Sequence, residues 1–124
     1  MSVDFDAQIP IFMQIGTWLK NAILSGAFVE ETQIPSITEI SVQYKINPAT
    51  ALKGVNILVE QGLLYKKRGL GMYVSPGAQT KLQQERRQQF YDSFILPVFA
   101  EAKKLNISAY DLQQMIERGY SHND

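Results

Sequence analysis

The chain has 124 residues, 45% of them apolar by type, no cysteine, and twelve acidic against twelve basic side chains. That suffices for one domain, or one domain with an appendage, and leaves little room for a second large core. The missing cysteines exclude a disulfide framework, a Cys-ligated zinc site and a cysteine nucleophile, and no apolar run reaches the roughly 20 residues of a membrane span.

The opening residues, Met1 to Asp6, are acidic and lack the basic start and apolar run of a signal peptide, so a soluble, cytoplasmic protein without a membrane partner is expected. The first helix should start at Pro10, whose missing N–H has no helical partner to lose, and end near Gly26, which tolerates the left-handed conformation past a helix end. Ile11, Ile15, Trp18, Leu19, Ala22 and Ile23 recur at helical spacing and predict one core-facing stripe. Ala27 to Ile34 reads as a brief strand or an extended loop, with Pro35 pushing Ile34 into extended geometry. Ser36-Ile37-Thr38-Glu39 is a capping box, and a short helix follows to about Tyr44 with Ile37, Ile40 and Tyr44 inward.

Lys45-Ile46 makes a tight connection to the next start signal, Asn47-Pro48, in which Asn caps and Pro takes the first position. That helix should run to about Gln61 and stop at Gly62, with Ala51, Val55, Leu58 and Val59 as its apolar face. Two short helices joined by a few residues, after a longer one, are a helix-turn-helix arrangement. Leu63 to Lys67 and Met72 to Val74 then predict two strands around the turn Arg68-Gly69-Leu70-Gly71. Helix, helix, helix and hairpin are the order of a winged helix.

Pro76-Gly77 marks an expected boundary between residues 1–76, the winged helix-turn-helix, and residues 77–124, a two-helix tail. The fold class is α+β, mostly helical. In the tail, Lys81 to Gln89 is polar, and Phe90, Phe94, Ile95, Val98, Phe99 and Ala102 form an apolar stripe interrupted by Pro97, which should kink the helix. Ser108 with Asp111 restarts a last helix whose apolar side is Tyr110, Leu112, Met115 and Ile116, and fraying is expected after Gly119.

A recognition helix presents its N-terminal residues to base edges in the major groove, which here are Asn47, Ala49, Thr50 and Lys53. Ala49 suits a thymine methyl, Thr50 a phosphate or base edge, and Lys53 a guanine or a phosphate. Ser36, at the start of the second helix, combines a hydroxyl with N–H groups that suit a phosphate. Lys66, Lys67 and Arg68 beside Gly69 and Gly71 make a basic hairpin tip that can meet a phosphate or enter a minor groove. Residues 1–76 carry six cations and six carboxylates, so the placement of charge matters more than its sum, and four of the six cations fall between Lys53 and Arg68.

The ordered set Pro10 to Ile15, Gly26, Ile34-Pro35-Ser36, Asn47-Pro48-Ala49-Thr50, Glu60 to Leu64 and Arg68 to Val74 resembles the DNA-binding domain of the GntR family of bacterial regulators. The tail, with Leu96-Pro97, Glu101 to Leu105 and Ile107-Ser108, resembles the YtrA-like subgroup. The resemblance implies a tail that dimerises without a large ligand-binding domain, and a regulator, commonly a repressor, often of neighbouring transporter genes. Thr38 stands where the family usually has a base-contacting arginine, which implies an altered or weaker operator preference. Glu30-Glu31 replaces the usual Pro-Gly, Met72 replaces a small polar residue of the wing, and Gly54 costs the recognition helix about 1 kcal/mol relative to alanine unless it permits close packing.

Enzyme readings find no support: His122 is the only histidine, and no nucleophile elbow, phosphate loop or metal-ligand spacing is present, so no cofactor and no metal are expected. The stripes formed by Phe90, Phe94, Ile95, Val98 and Phe99 and by Leu112, Met115 and Ile116 are too apolar for water on so small a tail, which predicts a homodimer on a palindromic double-stranded DNA operator. Two other readings compete. One is a winged-helix protein-interaction module without DNA. The other is a small effector or metal held at the tail among Phe90, Tyr91, Phe94, Phe99 and Tyr110, against which ordinary core packing is the simpler account.

Overall fold

The computed structural model describes residues 8–122, so the acidic opening read from Met1 to Asp6 and the last two residues lie outside it. Contacts divide the chain into two compact units, the first through Gln84 and the second from Glu85.

The first unit begins with α1 (Ile11–Ser25). Pro10 precedes this helix at the cap position, one residue earlier than expected, and Gly26 closes it at φ 86°. Ile15, Trp18, Leu19, Ala22 and Ile23 are buried as the spacing predicts, whereas Ile11 in the first turn is exposed. Helix α2 (Ile37–Tyr44) carries the complete capping box: the Glu39 N–H donates to the Ser36 hydroxyl at 3.0 Å, and the Glu39 carboxylate accepts from the Ser36 N–H at 3.1 Å. Ile40 is buried, and Ile37 and Tyr44 pack half-buried against the core. Burial raises the Tyr44 hydroxyl pKa above its ordinary value. The Trp18 ring meets Phe28 and Tyr44 edge-on, at 5.7 and 5.1 Å between centroids.

Helix α3 (Pro48–Glu60) starts with Asn47 accepting from the Ala49 N–H at 2.8 Å. Its inward face is Ala51, Gly54, Val55 and Leu58, with Val59 only half-buried. Gly54 has a packing reason. A Cβ there would lie 2.8 Å from Ile15 Cβ and from the Phe12 carbonyl oxygen, so its absence lets α3 approach α1 at backbone distance. Gly16 on the opposing helix contributes to the same close approach against Ile57.

Strands β1 (Leu64–Lys67) and β2 (Gly71–Val74) pair antiparallel with Leu64 opposite Val74, Tyr65 opposite Tyr73 and Lys67 opposite Gly71. Leu64 and Val74 are buried on one face, and Tyr65, Lys67 and Tyr73 share the other. The segment left open between strand and loop runs along β2: the Glu31 N–H donates to Val74, the Val74 N–H to Thr32, and the Ile34 N–H to Met72, at 2.7 to 3.0 Å. Only Gln33 bridges Tyr73 in regular sheet geometry, so the segment is an extended loop that lends the hairpin a third edge.

The first unit does not stop at Pro76-Gly77. Helix α4 (Ala78–Phe90) begins inside it, with Ala78 and Leu82 buried in its core. The Glu30 carboxylate accepts from the Gly77 and Gln79 N–H groups at 2.7 and 3.3 Å and so caps α4, and the Gln79 amide donates to the Leu24 carbonyl at 3.0 Å. Pro76-Gly77 is therefore a turn into a capped helix, and the contacts divide further along the chain.

In the second unit a π-helical turn, Tyr91–Ile95, continues without a break into α5 (Leu96–Lys104). The Leu96 N–H donates to the Tyr91 carbonyl, five residues back. Pro97 lies inside this continuous helical run, as expected, and the irregularity beside it is the wide turn immediately ahead of it. Asn106 at φ 56° ends α5, and the Ile107 N–H returns to the Ala102 carbonyl at 2.9 Å. Helix α6 (Ala109–His122) starts with Ser108 accepting from the Asp111 N–H at 3.1 Å. It stays helical past Gly119, where fraying was expected, and the Ser121 hydroxyl donates to the Glu117 carbonyl at 2.9 Å.

Candidate nucleic-acid interface

With Ala51, Gly54, Val55 and Leu58 turned inward, the 3.6-residue period puts Ala49, Leu52, Lys53, Asn56 and Glu60 on the outer face of α3. Ala49, Leu52, Lys53 and Asn56 line one open groove of about 420 Å³, with Phe12 along its side. Asn47 caps and is exposed, and Thr50 sits half-buried at the flank of the outer face. The Lys53 ammonium lies 4.0 Å over the Phe12 ring, which holds the charge at the edge of the groove.

At the start of α2, Ser36 and Thr38 are both exposed. The capping box uses the Ser36 hydroxyl and the Ser36 N–H, which leaves the Ile37 and Thr38 N–H groups for an anion. The Glu39 carboxylate already stands there, so a phosphate meets a like charge at that end. This narrows the anion site expected from the sequence.

On the hairpin, Lys67 and Arg68 are exposed, and the Lys67 ammonium lies 4.2 Å over the Tyr73 ring. Gly69, at φ 78°, has open space where a side chain would be. Gly71, at φ 130°, does not, because a Cβ would meet the Gln33 amide nitrogen at 2.6 Å. That nitrogen donates to the Leu70 carbonyl at 2.5 Å, and the Leu70 N–H donates to the Lys67 carbonyl at 2.9 Å. Gln33 thus clamps the tip, a role invisible in the sequence because clamp and tip are 37 residues apart. Gly69 alone keeps a backbone free for close approach.

In the second unit, Phe90, Phe94, Val98, Phe99, Met115 and Ile116 are exposed, Ile95 and Leu112 are half-buried, and Ala102 alone among residues 85–122 is buried. Phe90 contacts Phe94 at 5.7 Å between ring centroids, and Tyr91 contacts Phe99 at 6.4 Å. A cavity of about 400 Å³ opens between α5 and α6, lined by Phe99, Ala102, Ile107, Leu112 and Ile116 with Lys103 at its rim. Of the five aromatics considered for an effector only Phe99 lines this cavity, and the core packing weighed against that reading is not made within one chain. Among the described residues no helix is long and apolar enough to cross a membrane, and no group of three His, Cys, Asp or Glu could hold a metal.

Residues 13–74 match the family described as bacterial regulatory proteins, gntR family. The chain belongs to the GntR family. Two relatives from Bacillus subtilis (strain 168) are the HTH-type transcriptional repressors NagR, 35% identical over 75 residues, and YtrA, 30% identical over 82. The match covers 60% of this chain but 31% of NagR, and 66% of this chain and 63% of YtrA. A GntR-family transcriptional regulator from Bacteroides thetaiotaomicron superposes at TM-score 0.76 with 29% identity, over 92% of this chain and 99% of that one. The AraR DNA-binding domain in complex with operator ORX1 superposes at 0.56 with 28% identity, over 60% of this chain and 96% of that one. Glu31 sits at φ 63°, the left-handed region that glycine favours, so its side chain strains the backbone there.

Proposed function

We propose that the chain is a DNA-binding transcription regulator, a cytoplasmic repressor of the YtrA-like kind, that binds a palindromic operator as a homodimer. The observation that carries this reading is the outer stripe of α3. Ala49, Lys53 and their neighbours form one exposed surface on a winged helix whose operator-bound counterpart is known in AraR. Ser36, Thr38, Asn47, Thr50, Lys67, Arg68 and Gly69 supply backbone contacts around it, and Gly71 shapes the tip that presents Arg68. The apolar faces of the end of α4, the π-helical turn, α5 and α6, with Phe90, Phe94, Ile95, Val98, Phe99, Leu112, Met115 and Ile116, support dimerisation, since a single chain leaves all but the half-buried Ile95 and Leu112 exposed. A two-fold axis would space the two α3 helices about one DNA turn, ~34 Å, apart. Control of transporter genes is part of the same proposal and rests on the subgroup resemblance alone.

The test is fluorescence anisotropy on duplex DNA across a salt series. Affinity should fall steeply with salt, and Arg68→Ala and Lys53→Ala should each weaken binding, Arg68→Ala also flattening the salt slope by about one. No binding to any duplex at low salt sinks the reading and favours a protein partner instead.

A further inference from the structure

The recognition surface lacks the group that reads guanine best. No arginine precedes Arg68 on the hairpin, so neither α2 nor α3 carries a guanidinium. The only cation on the outer face of α3, Lys53, has its ammonium seated over the Phe12 ring. The centre of the stripe is Ala49, Leu52 and Asn56. Leu52 is 42% exposed although apolar, and the exposed Asn56 amide has no hydrogen-bond partner among the described residues. Apolar side chains contact the thymine methyl, and an Asn amide matches the adenine N6–H and N7 pair in two bonds. Glu60 closes the stripe at its C-terminal end, one turn past Asn56, so the reading face runs from Ala49 to Asn56.

We infer that α3 reads A·T base pairs in the major groove, Asn56 fixing an adenine and Ala49 with Leu52 packing on thymine methyls, and that guanine contributes little to operator choice by this helix. The inference rests on the DNA-binding reading above and specifies its ligand. All three side chains are exposed, so substitutions at Leu52 and Asn56 leave the core intact.

Selection of bound duplexes from a random pool by the full chain gives the first readout: half-sites whose specified positions are A·T pairs. On the selected site, replacing each thymine by uracil removes only the C5 methyl. At one or two positions this should weaken binding about three- to five-fold, and Leu52→Ala should remove that sensitivity at the position Leu52 covers while leaving the one under Ala49. Asn56→Ala should lose roughly ten-fold of the discrimination for adenine at one position while binding to random duplex stays unchanged. A consensus dominated by G·C pairs, no consensus at all, or indifference to uracil at every position overturns the inference while leaving a DNA-binding protein. Failure to retain any duplex at low salt removes the regulator reading and this inference together.

Discussion

The two units of the chain carry apolar stripes of similar spacing and treat them oppositely. In the first, α1 and α3 close on each other through Gly16 and Gly54 and bury Ile15, Leu19, Val55 and Leu58 completely. In the second, Phe90, Phe94, Phe99 and Ile116 remain exposed in a single chain. Amphipathic spacing therefore shows that a face wants cover; it does not say whether the cover comes from the same chain. Charge follows a parallel contrast, because the first unit's exposed stripe on α3 is mixed, with Lys53, Asn56 and Glu60 beside Leu52, as a wet surface should be.

Breaking the contrast is simplest in the second unit. Phe94→Glu should convert a sedimenting dimer to monomer and reduce affinity for a palindromic site by about 100-fold or more, because the second half-site loses its tethered partner. The thermal unfolding of the first unit should not move. A variant that stays dimeric would show that the exposed aromatics are not the interface. In the first unit the counterpart is Gly54→Ala, which drives a methyl into Ile15 and the Phe12 carbonyl. Urea denaturation should show a loss of about 2 kcal/mol despite alanine's better helix propensity. A gain in stability would mean that the two helices can separate at little cost.

How much of this was legible follows the range of the interactions. The capping box of Ser36 and Glu39, the Asn47 cap and the Gly26 stop are all set by neighbours within a few residues, and the chain announces them; the hairpin was legible as a hairpin, but Gly71, read as turn, pairs with Lys67 in β2. Glu30 capping α4 from 47 residues away and Gln33 clamping the wing leave no local pattern. For the same reason the boundary near Pro76 read as an edge, since polar Lys81 to Gln89 gives no hint that Ala78 and Leu82 pack on the first core. The outer face of α3 was legible only in part: Ala49 and Lys53 follow from position in a recognition helix, but Leu52 and Asn56 emerge once the inward face is known.

Two smaller substitutions sharpen the picture of the first unit. Gln33→Glu keeps the side chain's shape but removes the donor to the Leu70 carbonyl. Anisotropy should report roughly five-fold weaker duplex binding, with the core's unfolding midpoint nearly unchanged. An unaltered affinity would separate wing order from binding. Glu31→Gly should raise stability by about 1 kcal/mol, because residue 31 then occupies φ 63° without a Cβ. Chemical denaturation measures it, and a neutral result would place a compensating interaction on the Glu31 side chain.

The wide turn at Tyr91–Ile95 accommodates one surplus residue, and it does so where the aromatic stripe changes phase. A uniform α-helix would set Tyr91 and Phe99 roughly 80° apart around the axis, yet their rings meet at 6.4 Å. Counting rather than chemistry governs this stretch: with one residue absorbed in the turn, Tyr91 and Phe99 stand as if seven apart, about 20° from one line, so deleting Ser93 should restore a regular helix and keep the two rings on one face.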